Sequence, residues 1–153
     1  MAIPTSHQYI GSALYQLFVA GIDIDIQAFP TLSNNSFLVE DKIGLYIKYS
    51  VKSTSPWNFT FKKVHQEELK VMSEMIDKVY IVFVCGKDGI ACISYEDSKN
   101  LLDDNFEEAE WIRFSRTGAK RYKVTGKDGK LPFKLTIKSF PDDIITLVQK
   151  KAK

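Results

Sequence analysis

The segment from Lys78 to Tyr95 constrains the fold more than any other part of the chain. It reads KVYIVFVCGKDGIACISY, two apolar runs separated by a short glycine-containing turn. A run that is apolar at both odd and even positions is typical of a strand buried on both faces. The sequence therefore predicts a hairpin whose first strand lies at the centre of a sheet. The turn tetrapeptide GKDG occurs again at 126–129, which indicates a second hairpin turn.

This hairpin also contains both cysteines of the chain, Cys85 and Cys92. A two-residue turn at Asp88-Gly89 would place them directly opposite each other, with Cβ atoms about 4.5 to 5.5 Å apart and close to disulfide reach. In a reducing compartment we expect two buried thiols that pack as small apolar groups. A zinc site needs two further ligands, and His7 and His65 lack suitable spacing, so we predict no zinc site.

Hydrophobic periodicity places the other elements around the hairpin. Helices are predicted at 5–21, 61–77 and 96–102, and a final helix has Pro141 in its first turn. Strands are predicted at 22–29, 36–41, 44–53, 110–116, 120–126 and 130–140. The order predicts one α/β (α+β) domain over 1–153, with a mixed sheet flanked by helices. Residues 1–102 would form its core, and 103–153 a basic, β-rich extension with the terminal helix.

Charge is distributed unevenly along the chain. Residues 1–110 carry 9 lysines and 16 carboxylates, a net charge of −7, whereas residues 111–153 carry 12 Lys or Arg and 3 aspartates, a net charge of +9. This asymmetry indicates either an anionic partner for the C-terminal part or docking of the basic part on the acidic part. Clustered cations can contact phosphates without reading base sequence. The candidate nucleic-acid contacts are Arg113, Arg116, Lys120, Arg121 and Lys123.

Other classes of protein find no support in the sequence. No apolar run approaches the roughly 18 to 20 residues that span a membrane, and residues 1–11 lack the pattern of a signal peptide. We therefore expect a cytoplasmic protein without a membrane partner. Motifs of phosphate-binding loops, dinucleotide-binding folds, zinc proteases and serine hydrolases do not occur.

Two of the predicted strands carry a pattern found in a family of nucleases. Residues 36–41 read SFLVED, residues 49–53 read YSVKS, and both follow the helical segment from Gly11 to Gly21. Over residues 5 to about 95, the chain resembles the PD-(D/E)xK nuclease superfamily, especially its small Holliday-junction-resolvase-like and intron-endonuclease-like members. The resemblance implies a restriction-endonuclease-like sheet and a Mg²⁺ site built from carboxylates beside a lysine.

Carried over position by position, the resemblance keeps the lysine and loses the acids. Lys52 matches the lysine that orients the attacking water and stabilises charge in the transition state. Ser36, Ser50 and Tyr15 stand where the family has Asp, Glu or Gln, and Glu, respectively. Neutral hydroxyls do not offset the dehydration of Mg²⁺ as carboxylates do. The resemblance thus implies a degenerate site without a cofactor, unless Asp25 approaches Ser36 across the strand ladder as a relocated acid.

Three functions are consistent with these observations. The first is binding of nucleic acid without cleavage, through the basic C-terminal strands. The second is a Mg²⁺-dependent endonuclease that uses Asp25 with Lys52. The third is a regulatory or protein-interaction module whose basic section meets an acidic protein. Lys52 itself is either a cleft residue or a solvated strand lysine like Lys48. The alternation of Trp57, Phe59 and Phe61 fits either core packing or base stacking.

Overall fold

The computed structural model describes residues 2–21 and 23–150, with the side chain of Lys150 excepted. The helices are α1 Thr5–Gly21, α2 Lys63–Met75, α3 Tyr95–Ser98 and α4 Ser139–Lys150. The strands are β1 Ile26–Ala28, β2 Ser36–Val39, β3 Ile43–Ser50, β4 Trp57–Phe61, β5 Lys78–Cys85, β6 Gly89–Ser94, β7 Glu110–Ser115, β8 Lys123–Gly126 and β9 Gly129–Lys130. Of the predicted strand 22–29, Ile22 lies outside the described residues, and strand geometry is confined to β1.

The first sheet has five strands in the order β1-β2-β3-β5-β6. Strands β3 and β5 are parallel, and every other pair in this sheet is antiparallel. The parallel pair requires a crossover connection, which runs through β4 and α2. The predicted mixed sheet and the α+β class are confirmed. The predicted central position of the first hairpin strand is also confirmed, because β5 lies between β3 and β6.

The second sheet is antiparallel, with the strand order β4-β7-β8-β9. It combines β4, from the predicted core, with strands from the predicted extension, so both sheets draw on residues before 102. The predicted long strand 130–140 is wrong. The chain there forms only the two residues of β9 and one bridge between Tyr122 and Leu135. Pro132 lacks the N–H group that a continuing ladder would need.

Two apolar clusters lie on opposite faces of the first sheet. On one face α1 and α4 pack against β3, β5 and β6, as the burial of Leu17 and Ile144 shows. On the other face lie α2 and the buried side of the second sheet. Trp57, Phe59 and Phe61 point into this second cluster, where at most 2% of each is exposed. Their alternation therefore reflects core packing, and the base-stacking interpretation is wrong.

The β5–β6 hairpin has a different register from the one predicted. Cys85 pairs with Gly89, so the turn holds three residues and begins at Gly86, where φ is 55°. Cys92 lies opposite Val82 instead of Cys85. The two thiols are free, buried, and on opposite faces of the sheet, one in each apolar cluster. The predicted direct pairing is wrong because the turn lies at 86–88 instead of at Asp88-Gly89, which shifts the register by three residues and places the two thiols on opposite faces.

Candidate functional site

Lys52 follows the end of β3 in an exposed loop that closes on itself. Its backbone N–H donates to Ser50 Oγ at 3.3 Å, and its Nζ donates to the carbonyl of Pro56 at 3.0 Å. Its own carbonyl accepts a hydrogen bond from Trp57 Nε1 at 2.9 Å. These contacts hold the amine of Lys52 against the backbone of its own loop. Ser50 in turn is engaged by the Lys52 N–H.

Ser36 lies far from Ser50 and Lys52 along the strands. It pairs with Tyr46, and Ser50 is four residues further along β3, roughly 13 Å at about 3.3 Å per residue. The hydroxyl of Ser36 is buried and contacts Asn35 Oδ1 at 3.1 Å and Thr31 Oγ1 at 3.2 Å. The residues that the nuclease resemblance assigns to one metal site therefore do not converge.

The relocated-acid alternative requires Asp25 to approach Ser36, and it does not. Its N–H donates to Glu40 Oε2 at 2.7 Å, and its carbonyl accepts from the Glu40 N–H at 2.8 Å. At the other end of the ladder, the N–H of Phe29 donates to the carbonyl of Ser36 at 2.9 Å. Asp25 and Phe29 are four residues apart, so the short β1 separates Asp25 from Ser36 by roughly 13 Å. A relocated acid at Asp25 therefore cannot share a metal with Ser36 or Lys52.

A polar cluster that the sequence analysis missed lies between β3 and α2. Tyr46 donates to Glu68 Oε1 at 2.6 Å, and Ser33 donates to the same atom at 2.7 Å. Lys48 Nζ donates to the Thr60 carbonyl at 2.6 Å and lies 3.2 Å from His65 Nδ1. The available sequence signal was spacing, since His65 and Glu68 share a helix face three residues apart.

Burial changes the protonation of this cluster. It lowers the pKa of Lys48 from 10.5 to about 8. Burial, together with the charge of Lys48, also lowers the pKa of His65. Because the backbone N–H of Lys62 donates to His65 Nδ1 at 3.1 Å, the neutral ring accepts at that atom. The lysine and the imidazole of this cluster are thus both biased towards their neutral forms.

The outward face of the second sheet presents cations and no carboxylates. Its register places Asn58, Arg113 and Thr125 in one row across three strands. The eight outward positions on these strands are Asn58, Thr60, Trp111, Arg113, Ser115, Lys123, Thr125 and Lys130. Arg113 Nε donates to Asn58 Oδ1 at 2.8 Å, and its guanidinium lies 5.2 Å from the centre of the Trp111 ring. We call these eight residues the outer face.

The five predicted nucleic-acid contacts divide into three groups. Arg113 and Lys123 are exposed on the outer face. Lys120 and Arg121 are exposed in the adjoining loop between β7 and β8. Arg116 is placed differently, because its guanidinium forms two hydrogen bonds with Asp88, at 2.7 and 3.0 Å. Only 13% of its side chain is exposed, and its charge is paired with Asp88, which joins this loop to the β5–β6 turn.

Within the described residues, one group of three carboxylates is close enough together to hold a metal ion. It consists of Asp103, Glu110 and Asp128, and one oxygen from each lies within 4.8 Å of the others. The group lies at the end of the second sheet and away from Lys52 in the chain. Neither the periodicity of the sequence nor the nuclease resemblance indicated it, because its members come from three separate segments.

Comparisons with known proteins identify no relative from which a function could be carried over. No protein-family model, no curated protein and no solved structure matches this chain. Among the described helices, none is both long and apolar enough to cross a membrane. What the structure itself shows is an α+β fold, with a mixed five-stranded sheet and a second, antiparallel sheet packed on it.

Proposed function

We propose that the protein binds nucleic acid on its outer face without cutting it. One observation carries the proposal: the outward positions of the second sheet hold three cations and an aromatic ring, and no carboxylate. Lys120 and Arg121 extend this positive surface along one end of the sheet. The net charge of +9 for residues 111–153 has the sign that a phosphate backbone requires.

The side chains on the outer face suit a single strand. Cations in a row contact phosphates without reading base sequence, and aromatic rings or guanidinium planes stack on unpaired bases. Trp111 is half-buried and supports the guanidinium of Arg113 at 5.2 Å, so the pair offers a flat, positively charged surface. Asn58 fixes the orientation of Arg113 through the 2.8 Å hydrogen bond to Nε. We therefore expect single strands to bind more tightly than duplexes.

The absence of cleavage in this proposal follows from where the nuclease-like residues lie. Ser36 is buried and hydrogen-bonded to Thr31 and Asn35, and roughly 13 Å of strand separates it from Ser50. The Lys52 amine is held by the Pro56 carbonyl. Within the described part of the chain, the only group of three carboxylates close enough together to hold a metal ion lies elsewhere. A Mg²⁺-dependent cut beside Lys52 would lack its acidic ligands.

Fluorescence anisotropy with labelled oligonucleotides tests the proposal. Single-stranded DNA, single-stranded RNA and duplex DNA are titrated at 50 and 200 mM salt. For about three phosphate contacts, affinity for a single strand should fall about 20-fold between these concentrations. The Arg113→Glu/Lys123→Glu variant should bind weakly and show a shallower salt dependence. Trp111→Ala should weaken binding by roughly 5- to 150-fold while the salt dependence stays the same.

Lys70→Glu/Lys78→Glu is the matched control, because both lysines are exposed and lie outside the second sheet. An equal loss of affinity in this control would show that net charge, and not the outer face, determines binding. If none of the three oligonucleotides binds at 50 mM salt, the proposal fails and an acidic protein becomes the candidate partner. Cleavage in Mg²⁺ or Mn²⁺ that Lys52→Ala abolishes would refute the non-cutting part alone.

A further inference from the structure

Three carboxylates from separate segments meet at one end of the second sheet. Asp103 follows α3, Glu110 is the first residue of β7, and Asp128 lies in the turn between β8 and β9. One oxygen of each lies within 4.8 Å of the other two. Like charges at such distances repel, so the fold must hold them together by other contacts.

The β8–β9 turn is fixed against its surroundings by backbone contacts. The N–H of Asp128 donates to the Leu101 carbonyl at 3.1 Å, and the N–H of Lys127 donates to the Trp111 carbonyl at 3.2 Å. Gly126 and Gly129 bracket the turn, and a Cβ on either would collide with the backbone of the segment that follows α3. The second GKDG sequence therefore does more than make a hairpin turn, because its glycines allow the close approach that delivers Asp128 to Glu110.

Glu110 is the residue that needs an explanation. It is fully buried, and neither of its carboxylate oxygens has a hydrogen-bond partner. Lys127 Nζ forms an ion pair with Oε2 at 3.3 Å and a shorter one, at 2.8 Å, with the exposed Glu108. A buried carboxylate is costly unless a partner offsets its charge. One lysine shared with Glu108 leaves most of the negative charge of the three carboxylates uncompensated.

We propose that Asp103, Glu110 and Asp128 bind a hard divalent cation, Ca²⁺ or Mg²⁺. Such ions take carboxylate oxygens as ligands, and two oxygens on opposite sides of Ca²⁺ are about 4.8 Å apart at about 2.4 Å each. The cation supplies a ligand bond for the buried Glu110 carboxylate, which has one ion pair and no hydrogen bond. It also joins the loop after α3, the first residue of β7 and the β8–β9 turn into one rigid corner. This site is independent of the nucleic-acid proposal and takes no part in any cleavage step.

Isothermal titration of the metal-free protein with CaCl₂, MgCl₂ and MnCl₂ tests the site, and thermal unfolding gives a second measurement. A cation present at about 100 times its Kd should raise the unfolding midpoint by about 5 to 10 °C. Preference for Ca²⁺ over Mg²⁺ would indicate a flexible site with more than six oxygens, and the reverse would indicate an octahedral site with bound waters. Glu110→Gln keeps the shape of the side chain and should abolish both the heat and the midpoint shift.

Glu108→Gln is the matched control, because Glu108 also contacts Lys127 but lies outside the group of three. It should retain the response of the unmodified protein. If Glu110→Gln does not fold, Asp128→Asn, at an exposed turn position, takes its place with the same expectation. The proposal is overturned if the unmodified protein shows no heat and no midpoint shift with 10 mM of any of the three cations. It is equally overturned if the variant that folds responds like the unmodified protein. A proton shared between Glu110 and Asp128 would then be enough to account for the buried carboxyl group of Glu110.

Discussion

Phe83 lies at the contact between the two sheets, and replacing it with alanine should lower the free energy of unfolding. It lies on β5 in the first sheet, and its ring centre is 4.9 Å from that of Phe59 and 4.5 Å from that of Phe114, both in the second sheet. A third ring, that of Phe61, lies 6.2 Å away. Phe83 is fully buried, so Phe83→Ala leaves a cavity at the centre of the contact between the sheets.

The expected cost follows from burial and ring geometry. Phe to Ala in a core costs about 3 to 5 kcal/mol, and an edge-to-face or tilted ring pair adds about 0.5 to 1.5 kcal/mol beyond burial. The free energy of unfolding should therefore fall by about 4 to 6 kcal/mol, a large part of the 5 to 15 kcal/mol that stabilises a typical domain. With a urea dependence of about 2 kcal/mol per molar, the midpoint should fall by about 2 to 3 M.

Urea unfolding followed by two probes measures this effect. Tryptophan fluorescence reports on the second sheet, because Trp57 and Trp111 lie on β4 and β7, while far-ultraviolet circular dichroism reports on the whole chain. Phe133→Ala is the control, since 47% of Phe133 is exposed, and it should change stability by about 0.5 kcal/mol or less. A loss in Phe83→Ala no larger than in this control would refute the packing argument. Separate transitions for the two probes in the unmodified protein would refute the idea that the aromatic contact makes the sheets unfold together.

Two further predictions concern the polar cluster and the left-handed glycines. Burial lowers the pKa of Lys48 from 10.5 to about 8, so between these pH values the unfolded chain binds a proton that the folded chain has released. Lys48 should therefore contribute a rise in the free energy of unfolding from pH 8 to pH 10.5, against the fall that the raised pKa values of the buried Cys85 and Cys92 thiols contribute there. In urea titrations the stability difference between the unmodified protein and Lys48→Met should grow across this range, and a constant difference would place the titrating group elsewhere. Gly86 and Gly118 have nearly equal φ angles of 55° and 59°, but only at Gly86 would a Cβ meet the Lys52 carbonyl oxygen. Thermal unfolding should show a loss of about 1 kcal/mol for Gly118→Ala and a clearly larger one for Gly86→Ala, and equal losses would contradict the close approach.

Local sequence patterns predicted where helices and strands lie better than which strands pair with each other. The helix 5–21 and the buried strand β5 follow from periodicity, because each covers enough residues to show its period of 3.6 or 2. The register of the β5–β6 hairpin does not, because both strands are apolar on both faces, and a turn at 86–88 instead of at Asp88-Gly89 moves Cys92 from opposite Cys85 to opposite Val82. The partner of β4 is equally hidden, since nothing in Trp57–Phe61 indicates pairing with a strand that begins at Glu110.

The candidate site shows the same division between local and long-range information. The basic section predicted from charge contains Arg113 and Lys123, which the fold does place on one exposed face. Arg116 belongs to the same section, but its partner Asp88 is 28 residues away, so composition could not show that its charge is already compensated. Glu110 gives no local signal either, because the two aspartates that lie near it come from segments that only the folded chain brings together.

The position of β4 in the chain has a consequence for synthesis. Its partner β7 begins at Glu110, and 48 residues, 62–109, separate it from the end of β4 at Phe61. At about 5 to 20 residues per second, a ribosome needs roughly 2 to 10 s to produce the intervening segment. During that time the hydrogen-bonding edge of β4 and its three aromatic side chains lack the strand that pairs with them. The newborn chain is therefore most open to mispairing with other chains at β4, until residues 110–115 emerge and pair with it.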